Sequence, residues 1–202
     1  YMWAGIGDTY AKYYEATISS RGEQLEHFTS LGVALSLMCR NPLLEYGPKA
    51  YEDHKKKLST YDVEQVVLAI VVTTGIASIF LTKDFTPDYN SGLAHAIFYA
   101  LTSYPVIEKN HLHGEVVGFG VLLALLVDGE ETEFEKVYEL NKKIHLPVSL
   151  EEIEITEEQW EESMNRIPEM SDVAHYPYKV TKEMLSEAMS KLKERVQEDG
   201  EK

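Results

Sequence analysis

Apolar residues recur at steps of three and four along most of this chain, which is the spacing of one face of an α-helix. Near the carboxyl end, Thr181 precedes such a stripe, formed by Leu185, Ala188, Leu192 and Val196. Alternating strand patterns are poor: only residues 148–155 alternate, and a short extended loop explains them. The sequence therefore predicts an all-α fold, a bundle of about eight or nine helices, as a single domain over residues 1–202.

Size and charge narrow the classes of function. A chain of 202 residues buries roughly 70% of its unfolded surface, enough for a real core. Its net charge of −15 argues against a nucleic-acid partner, because phosphates require clustered Lys and Arg. Cys39 is the single cysteine, which excludes an internal disulfide and suits a reducing cytoplasm. The opening YMWAGIGD has neither a basic region nor a long apolar stretch, so we expect no signal peptide and a cytoplasmic location.

One apolar run raises the question of a membrane. Residues 66–81 contain few polar side chains, but the run is shorter than the roughly 20 apolar residues that cross a bilayer. It also contains Thr73, Thr74, Gly75 and Ser78. We expect a core helix that is buried on all sides, and no membrane partner.

Three separate residues form a candidate metal site: Asp8 after Gly5-Ile6-Gly7, His95 and His113. One carboxylate and two imidazoles suit Zn²⁺ or Fe²⁺ and leave a coordination position for a substrate. We expect Asp8 where a helix begins, His95 within a helix over residues 90–103, and His113 at the start of a helix over residues 114–127. Taken singly, each residue has an ordinary alternative role: Asp8 as a helix cap, His95 as a core histidine and His113 as a helix-end residue.

The sequence around these residues is more specific. AGIGDTYAKYYEA, SGLAHAIFYALT and HLHGEVVGFGVLLAL resemble, in this order, the metal-binding segments of the iron-containing (group III) alcohol dehydrogenases, with the glycerol dehydrogenases as the most similar branch. DVAHYPYKVTKEML is similar to the closing segment of that family, so the resemblance covers nearly the whole chain. It implies the fold of the family's helical carboxyl-terminal domain.

The resemblance also implies a function. Asp8, His95 and His113 would bind one divalent metal, zinc in preference to iron, and act catalytically through it. The metal would bind the hydroxyl of a small polyol or alcohol, and hydride would pass to NAD. In the family, NAD lies on an amino-terminal α/β domain, which this chain lacks, so we expect no cofactor-binding residue here. The family also commonly assembles, which predicts a homo-oligomer.

Departures from the family leave alternatives open. Glycerol dehydrogenases usually carry a second histidine and an asparagine where this chain has Phe98-Tyr99, which makes the wall near the metal more apolar. A non-catalytic helical remnant or interaction subunit is one alternative, and an activity like that of glycerol-1-phosphate dehydrogenase is another. Glu115 is a candidate hydrogen-bond partner of a ligand histidine, or simply a first-turn acid. His111 is a candidate proton shuttle, or a solvated loop residue.

Overall fold

The computed structural model describes residues 1–82 and 89–201, and the regular structure in this part is helical throughout. Its α-helices are α1 (Met2–Ser19), α2 (His27–Ser36), α3 (Asn41–Lys55), α4 (Tyr61–Leu68), α5 (Thr74–Leu81), α6 (Leu93–Leu101), α7 (Pro105–Asn110), α8 (His113–Asp128), α9 (Glu131–Ile144), α10 (Glu157–Met164) and α11 (Lys182–Gly200). The all-α prediction is confirmed. More helices are present than predicted, because segments as short as α7 carry too few residues for a periodic pattern.

Helix α8 is the centre of the bundle. Gly114 and residues 116–126 are buried, so this helix is enclosed on all of its faces. It packs against α1, α6 and α11, which explains why its sequence is apolar all round rather than along one stripe. Helices α1, α6 and α8 therefore form one rigid unit, and they carry the three predicted ligand residues.

Glycines set the separation of α1 and α8. A Cβ on Gly7 would lie 2.2 Å from the backbone oxygen of Gly114, and a Cβ on Gly114 would lie 1.9 Å from the backbone oxygen of Ala4. The prediction that Asp8 begins a helix is wrong, since α1 begins at Met2 and Asp8 lies in its second turn. Gly7 therefore allows α1 and α8 to approach closely, while Gly5 faces the Ile70 side chain.

Helices α4 and α5 are joined by a π-helical segment, Ala69–Thr73. Thr74 follows this wide turn and faces inward: its hydroxyl donates to the Ala69 carbonyl at 3.0 Å and can accept from the Thr9 hydroxyl, which lies 3.2 Å away. Within the described residues, Tyr61–Leu81 is the one stretch that is long and apolar enough to cross a membrane. Only 17% of its most apolar window is buried. The expectation of a helix buried on all sides is therefore wrong.

Side chains cap two of the outer helices, and the single cysteine is packed in the interior. Thr156 and Gln159 form a reciprocal capping box at the start of α10, and the Thr181 hydroxyl accepts the Met184 amide at 3.3 Å at the start of α11. Cys39 is fully buried beside Ala16, as expected of a packed thiol.

Candidate metal centre

The structure brings Asp8, His95 and His113 together. Asp8 Oδ1 lies 3.5 Å from His95 Nε2 and 3.3 Å from His113 Nε2. One ligand atom from each residue lies within 4.8 Å of the others. In the sequence, 87 residues separate Asp8 from His95 and 18 separate His95 from His113, so only the packing of three helices creates this cluster.

These distances fit a metal. In a tetrahedral zinc site with bonds of about 2.0–2.1 Å, neighbouring ligand atoms stand roughly 3.3–3.5 Å apart. The two distances from Asp8 fall in that range. One oxygen and two nitrogen donors also leave a fourth position, which is typical of catalytic rather than structural zinc sites. The residues present therefore fit a divalent cation.

The three residues of the cluster differ in their exposure to solvent. The His95 side chain is 8% exposed, whereas the side chains of Asp8 and His113 are 38% and 43% exposed. His95 thus forms the floor of the site, and Asp8 and His113 form its mouth. A ligand can reach the fourth coordination position from solvent without any movement of the floor.

Glu15, which the sequence analysis missed, fixes His95. This carboxylate is 1% exposed, and it accepts the His95 backbone amide at 2.9 Å and contacts His95 Nδ1 at 2.6 Å. Because a carboxylate accepts hydrogen bonds, Nδ1 carries the proton and Nε2 turns toward Asp8. The two acids are seven residues apart, which is two helical turns on one face of α1, and this spacing was the signal available in the sequence.

Lys12 completes the polar face of α1. It is buried, and its Nζ donates to the backbone oxygen and to Oδ1 of Asn90 at 2.5 and 2.7 Å. Burial lowers the pKa of Lys12, while the carboxylates of Glu15 and Asp8 oppose that effect. Lys12 therefore ties the segment before α6 to α1, which helps to position His95.

The charges of the three residues are coupled. Burial alone would raise the pKa of Asp8, but hydrogen bonds from His113 and His95 outweigh it, and the pKa of this carboxyl is lowered. Burial alone would lower the pKa of His95, yet the Glu15 and Asp8 carboxylates raise it to about 9. The site is thus built to hold positive charge beside Asp8, and a metal would compete with a proton for His95.

Aromatic rings line one side of the mouth. The Phe98 ring meets the His113 ring edge-on with centroids 4.3 Å apart, and Tyr99 is 47% exposed beside His95. These are the two positions at which the chain departs from the glycerol dehydrogenase pattern. As predicted, they make the wall beside the metal position apolar on the Phe98 side.

Two other candidates have different environments. Glu115 accepts the Trp3 indole N–H at 3.1 Å and the Leu112 amide at 2.6 Å, so it caps α8 and braces α1 rather than holding a ligand histidine. His111 is not a solvated loop residue, because its side chain is 10% exposed and its Nε2 lies 3.6 Å from a Glu154 oxygen. Among the described residues, neither belongs to the group of close ligand atoms that Asp8, His95 and His113 form.

The chain is similar to several known proteins. No family model matches the chain. It is 33% identical over 156 residues to hydroxycarboxylate dehydrogenase A of Escherichia coli, covering 77% of this chain and 42% of that protein. It is 34% identical over 164 residues to glycerol dehydrogenase of Thermotoga maritima, covering 76% of this chain and 41% of that protein. A glycerol dehydrogenase of Pseudomonas putida is 32% identical over 164 residues, with 77% of this chain and 41% of that protein covered.

Solved structures show the same fold. The model matches a probable glycerol dehydrogenase from Sinorhizobium meliloti with a TM-score of 0.78 over 95% of this chain and 54% of that one, at 22% identity. It matches glycerol dehydrogenase from Schizosaccharomyces pombe with a TM-score of 0.80 over 98% of this chain and 51% of that one, also at 22% identity. At this identity the likeness establishes the helical fold alone.

The sequence matches show that the chain is homologous to dehydrogenases, and its fold agrees with that relationship. Those homologues are glycerol dehydrogenases and a hydroxycarboxylate dehydrogenase, so the predicted resemblance to the iron-containing alcohol dehydrogenase family is confirmed. The chain spans about two fifths of the length of the curated relatives it matches. The activity of a whole protein of this kind is therefore a matter for proposal.

Proposed function

We propose that this chain is the metal-binding part of an NAD-dependent dehydrogenase that acts on an alcohol or polyol, like glycerol dehydrogenase. One observation carries the proposal: a carboxylate and two imidazoles from three helices meet at spacings that suit a single divalent metal. The names of the sequence relatives support the reaction class. Nicotinamide would be supplied by a separate nucleotide-binding domain, as in the family.

Asp8, His95 and His113 would hold the metal, and we propose zinc ahead of iron because the spacings suit a tetrahedral site. When bound, the metal would supply Lewis acidity, which makes loss of the hydroxyl proton of an alcohol easier. Glu15 would keep His95 Nε2 aimed at the metal. The half-exposed His113 would stand beside the entry path of the alcohol.

The substrate would be a neutral hydroxyl compound. A hydroxycarboxylate is the second candidate, because one relative with 33% identity carries that name. A carboxylate substrate calls for a cation beside the metal, and Lys12 is unsuitable for this role because it is buried and its ammonium already donates to the backbone oxygen and Oδ1 of Asn90. The apolar wall at Phe98 favours the carbon chain of an alcohol.

Cobalt substitution tests this proposal on the chain itself. Co²⁺ replaces zinc in such sites and absorbs visible light in a way that depends on its ligands, so a hydroxyl compound that enters the fourth position changes the spectrum. We expect glycerol or 1,2-propanediol to change the Co²⁺ spectrum at lower concentration than lactate does. His113→Ala should abolish the spectrum. A cobalt-loaded chain whose spectrum responds to neither diols nor lactate would rule out the proposed substrate role.

A further inference from the structure

The two histidines of the metal centre are held in different ways. His95 is buried, and Glu15 bonds both its backbone amide and its Nδ1. His113 is half-exposed, and within residues 1–82 and 89–201 the close polar contact of its imidazole is with Asp8 Oδ1, at 3.3 Å from Nε2. In this part of the chain no carboxylate holds the far side of the His113 ring, so its orientation needs another source.

The backbone of His113 is already fixed by the cap of α8. His113 is the first residue of this helix. The Leu112 amide donates to Glu115 Oε2 at 2.6 Å, and the Glu115 amide donates to the Leu112 carbonyl at 3.0 Å. The Trp3 indole donates to the other oxygen of Glu115 at 3.1 Å, which braces the cap against α1. These bonds place the Cα of His113, and the groups that touch the ring decide its side-chain torsions.

Phe98 is the aromatic ring that lies nearest to the imidazole of His113. The two ring centroids are 4.3 Å apart and the ring planes meet at 82°, which is a close edge-to-face pair. The His95 ring is farther away, with its centroid 5.2 Å from that of His113 and the planes at 46°. The His113 ring therefore contacts two rings of α6 and the Asp8 carboxylate.

Phe98 is itself firmly anchored. It lies three residues after His95 in α6, which places both side chains on the same face of the helix. Its ring is partly buried and packs against the main hydrophobic core. The start of α6 is held as well, because the Leu93 amide donates to the buried Tyr176 hydroxyl at 3.1 Å. A ring on so rigid a support can restrict the movement of its neighbour.

We propose that Phe98 is a positioning residue for His113, whose imidazole it restricts to the orientation in which Nε2 faces Asp8 and the metal position. This inference rests on the proposed function, because it concerns a ligand of the proposed metal. It also goes beyond an apolar wall, which any aliphatic side chain would form. The packing of a flat ring here does for His113 what the Glu15 carboxylate does for His95.

The expected effect follows from the cost of ordering one side chain. Without the ring of Phe98, the metal itself has to immobilise the half-exposed His113, and this cost weakens binding by about 3–10-fold. Phe98→Leu, which keeps an apolar side chain but removes the ring, should therefore lower zinc affinity by about 3–10-fold. Phe98→Tyr keeps the ring and should bind zinc within about twofold of the wild type.

Competition between the chain and a chromophoric chelator for Zn²⁺ measures these affinities, with circular dichroism to establish that each protein is folded. Phe28→Leu is the matched control, because it makes the same change in a ring that packs on Phe80 instead of on a metal ligand. The Co²⁺ spectrum is a second measurement, which a loosened imidazole ligand changes and a general loss of stability does not. We expect it to change in Phe98→Leu alone. Phe98→Met, which also lacks a ring, repeats the test should leucine disturb the fold.

Unchanged zinc affinity and an unchanged Co²⁺ spectrum in a folded Phe98→Leu protein would overturn the positioning role and leave the metal centre intact. The same conclusion would follow if Phe98→Tyr or Phe28→Leu weakened zinc binding as strongly as Phe98→Leu does. A folded wild type that binds no zinc is a different result, because it would contradict the proposed metal centre and this inference with it.

Discussion

Replacing Gly114 with alanine should separate the two helices that create the metal centre. The added Cβ would lie 1.9 Å from the backbone oxygen of Ala4 and 2.7 Å from its carbonyl carbon, and 3.2 Å from the Asp8 Cβ. Two of the three neighbours are backbone atoms of a buried helix, so no side-chain rotation relieves the clash. Side-chain Cβ atoms essentially never approach closer than 3.0 Å, and α1 must therefore move away from α8.

The magnitude follows from that movement. A shift of about 1 Å along most of a helix–helix contact loses dispersion energy at many atom pairs, and overpacking of a dense core typically costs about 1–3 kcal/mol. We expect the free energy of unfolding to fall by about 3 kcal/mol, near the upper end of this range, because the added Cβ meets backbone atoms. For a chain of this length that lowers the melting temperature by about 6–12 °C. The same shift changes the 3.3 Å spacing of Asp8 and His113, so zinc affinity should fall as well.

Thermal unfolding of the metal-free protein, followed by circular dichroism, measures the loss of stability. Competition with a chromophoric chelator measures the loss of zinc affinity. Gly75→Ala is the matched control, because Gly75 also lies inside a helix but has nothing within 4 Å of its added Cβ. It should raise stability by about 0.5–1 kcal/mol. A Gly114→Ala protein that melts within about 1 °C of the wild type and binds zinc normally would refute the proposed helix contact.

Three further outcomes are expected. Glu15→Gln should weaken zinc binding about 10–100-fold in a chelator competition, because His95 loses the carboxylate that orients it, and unchanged affinity would refute that role. Arg40 lowers the pKa of Glu133 from 4.5 to about 2, against the effect of burial, so the ion pair stabilises the fold above about pH 4.5. As pH falls toward 2 this contribution is lost. Glu133→Gln should therefore make the free energy of unfolding less dependent on pH over this range. The same pH dependence in the wild type and the variant would contradict the stabilising role of the ion pair. Thr181→Ala should cost about 1 kcal/mol in denaturant unfolding by removing the α11 cap, whereas Thr102→Ala, whose hydroxyl bonds within its own turn, should cost less.

The sequence predicted the helices around the site better than it predicted how these helices pack against one another. Helices predicted over residues 90–103 and 114–127 are observed as Leu93–Leu101 and His113–Asp128, because Pro105 and the apolar run of α8 mark their limits. That Asp8 would join the two histidines depended on the resemblance of the flanking segments. Periodicity carries no information about which distant helices meet.

Two errors have physical causes. Asp8 was expected where a helix begins, after Gly5-Ile6-Gly7, but these residues lie within α1, where Gly7 packs against Gly114 and Gly5 against the Ile70 side chain. The stretch over residues 66–81 was expected in the core, but an apolar composition alone does not show whether other helices of the chain cover it, and only 17% of its most apolar window is buried. Glu15 escaped notice because an acid in a helix is ordinarily a surface residue; its spacing of seven residues from Asp8 places both on one face of α1, and its burial then distinguishes it from a surface acid.

Zinc content, measured by elemental analysis of the purified chain after zinc addition and dialysis, tests the central claim most directly. A double variant, His95→Ala, His113→Ala, serves as the comparison, with circular dichroism to establish that both proteins are folded. The account predicts close to one zinc per wild-type chain and essentially none in the folded double variant. Zinc retained equally by both proteins, or absent from a folded wild type, would contradict the assignment of Asp8, His95 and His113 as a metal centre.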